Sequence, residues 1–310
     1  MIPPPPYPIG TPGQPWTAVE RVAWRARQFR RRSYAEDVLG RIERLAPDFD
    51  VLPYGRIDYA PDHYPLYALQ SRDWNPARPS ALISGGVHGY ETSGVHGALQ
   101  FAEQSAALYA GKVNLLIIPC VSPWAYEHIH RWNAEAIDPN RSFRADGECA
   151  EADALTRLVR RSGERFLLHV DLHETTDTDE SEFRPALAAR DGEPFEPGSI
   201  PDGFYLVGDS ENPQLPFQQA IIDAVARITH IAPADAEGAI IGSPVVAPGV
   251  ILYPFRRLGL CAGLSQARYT TTTEVYPDSP RTTPANCNDA QVAAVLAAID
   301  FALAATAVTA

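Results

Sequence analysis

The stretch SGGVHGYET, residues 84–92, closes a short apolar run, Ala81–Val87, and leads straight into a helix-spaced segment, Glu91–Ala110. An apolar run of this length that ends on glycines reads as a strand buried on both faces. Strand, glycine turn and helix together make the repeating unit of a parallel α/β sheet. The polar residues His88 and Glu91 stand at the strand's carboxyl end, where open α/β sheets bind ligands.

Working outward, the same alternation continues. On the amino side, helix-like spacing runs from Thr17 to Leu45, with Val22, Phe29, Val38, Ile42 and Leu45 as apolar positions, and strand-like segments follow at Asp50–Asp58 and Pro65–Gln70. On the carboxyl side come strand Val113–Pro119, helix Ala150–Arg161 and strand Phe166–Leu172. Beyond them, strands are expected at Phe204–Val207, Val250–Tyr253, Leu260–Leu264 and Thr270–Val275, and helices at Leu215–Ile228 and Asp289–Ala307. The pattern predicts one α/β domain over residues 17–310, with a largely parallel sheet covered by helices on both faces. Residues 1–16, rich in Pro and Gly, are expected to form an extended arm.

Composition narrows the function classes. The 310 residues carry 26 basic and 38 acidic side chains, a formal charge of −12, and no long Lys/Arg run. Such a chain repels polyanions, which argues against nucleic acid and anionic membranes as partners. No stretch approaches the roughly 20 apolar residues of a membrane span. The amino terminus, MIPPPPYPIG, lacks the basic start and apolar core of a secretory signal, so a cytoplasmic location is expected. Cys120, Cys149, Cys261 and Cys287 are scattered without zinc-knuckle spacing and read as buried thiols. The cluster Arg30, Arg31 and Arg32 reads as a solvated helix end.

Four segments carry chemistry. His88 and Glu91 offer an imidazole nitrogen and a carboxylate oxygen from one tight turn, and both suit zinc. The second segment, FLLHVDLHET (166–175), is another buried strand that delivers His173 at its end. Two adjacent parallel strands would bring His88, Glu91 and His173 together, and three protein ligands with one open position are the pattern of catalytic zinc. His169 and Asp171 share the face of His173 and read as buried hydrogen-bonding groups, while His96 reads as a packing residue. Third, within HRWNAEAIDPNRSF (130–143), Asn140 and Arg141 pair an amide with a guanidinium, a combination suited to a carboxylate, with Arg131 as a second cation. Last, RYTTTTEVYP (268–277) is a Thr-rich strand that presents Glu274 near its end, placed to accept a proton from a zinc-activated water.

In this order the four segments resemble the zinc metallocarboxypeptidases of the carboxypeptidase A type, in particular their compact bacterial members, over roughly Ala81 to Pro277. The resemblance implies a central mixed, mainly parallel sheet and one zinc ion per chain, held by His88, Glu91 and His173. It further implies that Asn140 and Arg141 grip the substrate's terminal carboxylate, that Arg131 polarises the scissile carbonyl, and that Glu274 is the general base. The family's mobile tyrosine corresponds to Tyr253, 21 residues before Glu274, with Tyr269 as competitor. The implied substrate is a peptide cut at its C-terminal bond. The related zinc deacylases of aspartoacylase and succinylglutamate desuccinylase type share the ligand set, so an N-acyl amino acid is the alternative. The acidic segment DLHETTDTDESEF (171–183) reads as largely solvated, and residues 183–203 as a loop over the cleft.

Overall fold

The apolar run before the glycine turn is β3 (Ser80–Gly85), buried at every position and near the middle of an eight-stranded sheet. The computed structural model describes residues 7–307; of the expected arm, residues 1–6 lie outside the described residues. In chain order the other strands are β1 (Phe49–Tyr59), β2 (Asp62–Ser71), β4 (Asn114–Ile118), β5 (Phe166–Glu174), β6 (Tyr205–Asp209), β7 (Ala239–Ile240), β8 (Ser243–Pro244), β9 (Val250–Tyr253) and β10 (Tyr269–Val275). The helices are α1 (Ala18–Arg25), α2 (Gly40–Leu45), α3 (Thr92–Gln104), α4 (Pro123–His128), α5 (Ala150–Ser162), α6 (Arg184–Asp191), α7 (Leu215–Val225), α8 (Phe255–Leu258) and α9 (Pro284–Ala307).

The sheet runs β1-β2-β4-β3-β5-β10-β6-β9, with β7 and β8 forming a separate small hairpin. The four inner strands β4, β3, β5 and β10 are parallel, β9 pairs parallel to β6, and the remaining pairings are antiparallel. The mixed, mostly parallel sheet of a single α/β domain is therefore as expected. Strand alternation explains its two covers. Ala81 and Ile83 of β3 face a core shared with Val95 and Leu99 of α3 and Val295 of α9, whereas Leu82 between them faces Ala152 and Leu155 of α5. Truncating a side chain such as Ile83, fully buried, costs about 2–5 kcal/mol.

Three expectations need correction. The helix expected over 17–45 breaks after Arg25. Thr17 and Glu20 cap α1 reciprocally, but of the five apolar positions Val22 and Phe29 are exposed and Val38, Ile42 and Leu45 reach the core, where Trp24 and Tyr34 join them. The intervening chain crosses to the 122–130 region instead of continuing the helix, and this changes the reading of the Arg cluster. Arg30 pairs with buried Glu127, and Arg32 donates to the carbonyls of Tyr126 and Gly89 and to Thr92 Oγ1. Leu260–Leu264 is not a strand but a short 3-10 turn over Cys261–Gly263; the Cys261 N–H goes to the Asn140 side chain rather than to a neighbouring strand. Finally, α9 is long and apolar enough to cross a membrane by length and composition, although no such stretch was expected. Its buried residues, among them Ala290, Ala294, Ala298 and Ile299, belong to the core it shares with α3 and α7.

Candidate active site at the carboxyl edge of the sheet

Parallel pairing of β3, β5 and β10 places three chain segments side by side at one edge. Ser84 is in register with Asp171, and His173 with Glu274. The turn after β3 then carries His88 and Glu91 over the end of β5. This turn demands glycine at its centre: a Cβ on Gly89 would lie 2.0 Å from Ala125 C and Tyr126 N. Arg32 closes the other side of the turn through the Gly89 carbonyl.

The three expected ligands meet. Candidate ligand atoms of His88, Glu91 and His173 lie within 4.8 Å of one another, all buried. His88 Nδ1 is 2.7 Å from Glu91 Oε1, and His173 Nδ1 is 2.6 Å from Glu91 Oε2. That second approach lacks hydrogen-bond alignment and leaves buried Oε2 without a hydrogen-bond partner. Two imidazole nitrogens and a carboxylate turned toward one point, with an oxygen otherwise unsatisfied, fit a metal ion of the zinc class. The outer nitrogens support the same assignment. His88 Nε2 is 2.9 Å from Asp138 Oδ1 and His173 Nε2 is 2.7 Å from Asp171 Oδ2, the carboxylate backing that orients histidine ligands.

The electrostatics follow from burial against these pairings. Burial opposes ionisation of Glu91, but His173 and His88 outweigh it and bring its pKa to about 2. Burial likewise opposes charge on Asp138, yet Arg131 and His88 hold it well below the usual carboxylate range. For His173, burial favours the neutral ring, whereas Glu91 and Asp171 drive its pKa well above normal. A metal ion at the Nδ1 side would take the place of that proton.

A second buried trio, His169, Asp171 and Cys261, also has metal-like proximity. Here the Ser84 hydroxyl takes the central position, 2.6 Å from Asp171 Oδ1, 2.9 Å from His169 Nε2 and 3.5 Å from Cys261 Sγ. Burial keeps His169 neutral, with a pKa of about 4. This trio is therefore a hydrogen-bonded support behind His173. Asp171 thus orients a ligand candidate as well as satisfying buried donors.

The remaining expected residues line one cleft with His88: Arg131, Asn140, Arg141, Tyr253 and Glu274. Asn140 accepts the Cys261 N–H at its Oδ1, which leaves its amide nitrogen for the cleft, and Arg141 Nη1 bonds the Asn140 carbonyl. Arg131 is fixed by Asp138 Oδ2 at 3.1 Å and Asp179 Oδ1 at 3.3 Å, with its Nη1 4.0 Å from Glu91 Oε1. Part-buried Glu274 accepts from Thr175 Oγ1 at 2.9 Å, and burial raises its pKa to about 8 against the pull of His173. Of the two tyrosines, Tyr253 faces the cleft, and Tyr269 is buried against Phe217 and Phe301.

Several neighbours were not singled out in the sequence. Asp138 links His88 to Arg131, and Asp179, with Tyr90, holds Arg131 from the other side. Asp179 and Glu174 belong to the acidic segment expected to be solvated, but both are buried, and Glu174 accepts the Thr92 and Ser93 N–H groups at the start of α3. A carboxylate two residues before Asn140, in Asp-Pro-Asn, is an N-cap signal that pointed at Asp138. Nothing local marks Asp179. Phe183, opening the expected loop, stacks over the Arg131 guanidinium at 4.2 Å, and the chain then forms α6 before running irregularly to Gly203. His96 bridges Arg41 and the Tyr126 hydroxyl rather than only packing. All four cysteines are free and buried.

Comparison with solved structures gives this arrangement its context. A candidate metallopeptidase from Shewanella amazonensis superposes with a TM-score of 0.64 at 23% identity, covering 89% of this chain and 98% of that one. A metallo-carboxypeptidase from Burkholderia cenocepacia gives 0.57 at 17% identity, covering 86% and 69%. The chain has the zinc-carboxypeptidase fold. On this fold, a model of the succinylglutamate desuccinylase/aspartoacylase catalytic domain matches residues 77–191, a span that holds His88, Glu91 and His173 but ends before Glu274. Carboxypeptidase 2 of Trichophyton tonsurans is 27% identical over 157 residues, 46% of this chain and 28% of that protein. Fold and family model together support a hydrolase of the zinc carboxypeptidase and desuccinylase/aspartoacylase superfamily.

Proposed function

We propose that this chain is a zinc-dependent metallocarboxypeptidase that releases the C-terminal residue of peptides. The observation that carries the reading is the convergence of His88, Glu91 and His173 at the base of a cleft that His88 lines together with Asn140, Arg141 and Glu274. One zinc ion would be held by His88 Nδ1, His173 Nδ1 and the Glu91 carboxylate. Bound there, it supplies Lewis acidity toward a carbonyl oxygen and toward water.

The chain's own groups do the rest. Arg141 and the Asn140 amide hold the substrate's terminal carboxylate, the geometry in which a guanidinium binds best. Arg131, rigid between Asp138 and Asp179, donates to the oxygen of the scissile carbonyl as charge grows on it. Glu274 takes a proton from the attacking water onto its carboxylate and returns it to the leaving nitrogen. Tyr253, on the cleft wall, covers the released end.

A second reading, deacylation of N-acyl amino acids, is favoured by the matched catalytic-domain model. It uses the same residues, because such substrates also carry a carboxylate next to the cleaved amide. Zinc-loaded protein offered a panel of di- and tripeptides beside N-acyl amino acids separates the two. Release of C-terminal residues from tripeptides supports the first; cleavage of the acyl compounds alone moves the assignment to the second. Failure on both panels refutes the hydrolase reading.

A further inference from the structure

Arg131 and Phe183 form a stack with a hollow on each side. One hollow is the cleft described above, of about 220 Å³. The other, of about 370 Å³, lies between that stack, Tyr90 and the chain from the end of α1 to the Arg cluster. Arg141 and Asn140 line only the first, so the second lies away from the carboxylate clamp. With the carboxylate end at Arg141 and the scissile carbonyl at Arg131, as proposed above, the hollow that shares Arg131 but not Arg141 is the one open to the acyl side.

The second hollow carries cations that nothing in the fold uses. Arg27 and Arg31 line it and are exposed. Among the described residues, neither guanidinium has a hydrogen bond or an ion pair, whereas their neighbours Arg25, Arg30 and Arg32 are all engaged. The carboxylate on this wall, Glu182, accepts a hydrogen bond from Tyr7. His130 also lines the hollow; its Nδ1 faces the Trp132 N–H, and its buried Nε2 has no partner. Burial, then His128, Arg31 and Arg131, keep that ring neutral down to a pKa of about 3. Two unpaired guanidiniums at the mouth of a cavity, in a chain of net charge −12, form an anion-directed surface.

We infer that this hollow is a subsite for a carboxylate on the acyl side of the scissile amide, and that Arg27 and Arg31 are its specificity-determining residues. The inference rests on the hydrolase reading above and names the class of substrate it takes: acyl groups or peptides bearing an acidic side chain before the cut. Both arginines come from residues before 77, outside the span shared with the matched domain model, so the preference would be a property of this chain's amino-terminal segment.

The test uses isosteric pairs on the zinc-loaded protein. Acetylated tripeptides ending in Phe carry Glu or Gln at the first or second residue before the scissile bond, and N-glutaryl-Phe is compared with its monoamide. The wild type should favour the charged member of at least one pair, through KM, by about 5- to 10-fold at low salt, with the preference shrinking as salt is added. The R27Q/R31Q double variant should lose that preference while its kcat/KM on the neutral member stays within about twofold of wild type, the surface-substitution range. Equal kcat/KM for both members of every pair, or a preference that survives in the double variant, would overturn the inference. Absence of hydrolysis of any member counts against the hydrolase reading instead. The subsite is then judged by calorimetric binding of the same pairs: charge-dependent binding abolished by the double variant supports it, and charge-independent binding sinks it.

Discussion

Replacing Asp171 by Asn isolates one contribution to the candidate metal centre. Asp171 is fully buried; Oδ2 accepts from His173 Nε2 at 2.7 Å and Oδ1 from Ser84 Oγ at 2.6 Å. Asparagine has the same shape. Its oxygen can keep the His173 bond while its amide turns to Ser84 Oγ, whose proton then goes to His169 Nε2, already 2.9 Å away. Both Ser84 hydrogen bonds are thus preserved with their donors reversed, the His169 ring proton moving to Nδ1 beside Ser265 Oγ, and the change removes chiefly charge. Loss of that charge makes His173 a weaker donor at its other nitrogen. Backing groups of this kind contribute about 10- to 100-fold in metal affinity, about 1.4–2.7 kcal/mol. Zinc dissociation constants are to be measured by competition with a chromophoric chelator, with circular dichroism confirming that the metal-free variant is folded. An affinity for zinc within twofold of wild type would refute the argument that the Asp171 carboxylate supports the ligand.

Three further outcomes are expected. Glu274→Gln should lower kcat by about 10²–10⁴-fold, the usual weight of a general base, with zinc content by elemental analysis unchanged; surviving turnover would remove Glu274 from that role. Arg141→Ala should reduce kcat/KM about 10- to 100-fold on substrates with a free terminal carboxylate, as loss of charge-assisted hydrogen bonds does; C-terminally amidated substrates should be poor for wild type and variant alike, and equal rates on free and amidated substrates would contradict the clamp. The third concerns stability. Glu151 is buried, and desolvation raises its pKa despite hydrogen bonds from Asn133, Cys149 and Tyr59. The folded state therefore binds this proton more tightly than the unfolded chain. Stability from the protonated form is present below the unfolded value of 4.5 and declines as pH rises through the elevated folded one. Melting temperatures of wild type and Glu151→Gln across pH 4–8 should diverge over that window; parallel curves would refute the assignment.

The sequence was most informative where periodicity and chemistry coincided. The buried strands before His88 and His173 are short apolar runs that end on polar residues, and strand alternation with parallel pairing carries those residues to one sheet edge. That is why the ligand candidates, the Asn140–Arg141 pair and Glu274 could be read from order and spacing. Legibility failed where long-range pairing decided the outcome. Arg31 is solvated as read, but Arg30 and Arg32 look solvated in sequence only because their partners, Glu127 and the Gly89 carbonyl, are distant in the chain. Asp179 sits among acidic residues of similar local appearance, and only the approach of Arg131 and Tyr90 sets it apart. Leu260–Leu264 has strand-like composition, but its backbone is claimed by the Asn140 side chain.

The metal-binding group and the residues that face the substrate's ends come from different parts of the fold, which has a consequence for how such a protein can diversify. His88, Glu91, His173 and Glu274 sit on or directly after β3, β5 and β10, interior strands flanked on both sides. Tyr253, by contrast, belongs to β9 at the sheet margin, and Arg27 and Arg31 to a crossing segment outside the sheet altogether. A change at the margin or in the crossing segment leaves the interior register intact, because those residues share no backbone pairing with β3 or β5. Bond-breaking chemistry and choice of substrate are thus separately mutable in this architecture. A lineage can exchange one class of acyl group for another through peripheral substitutions while its hydrolytic centre stays unaltered.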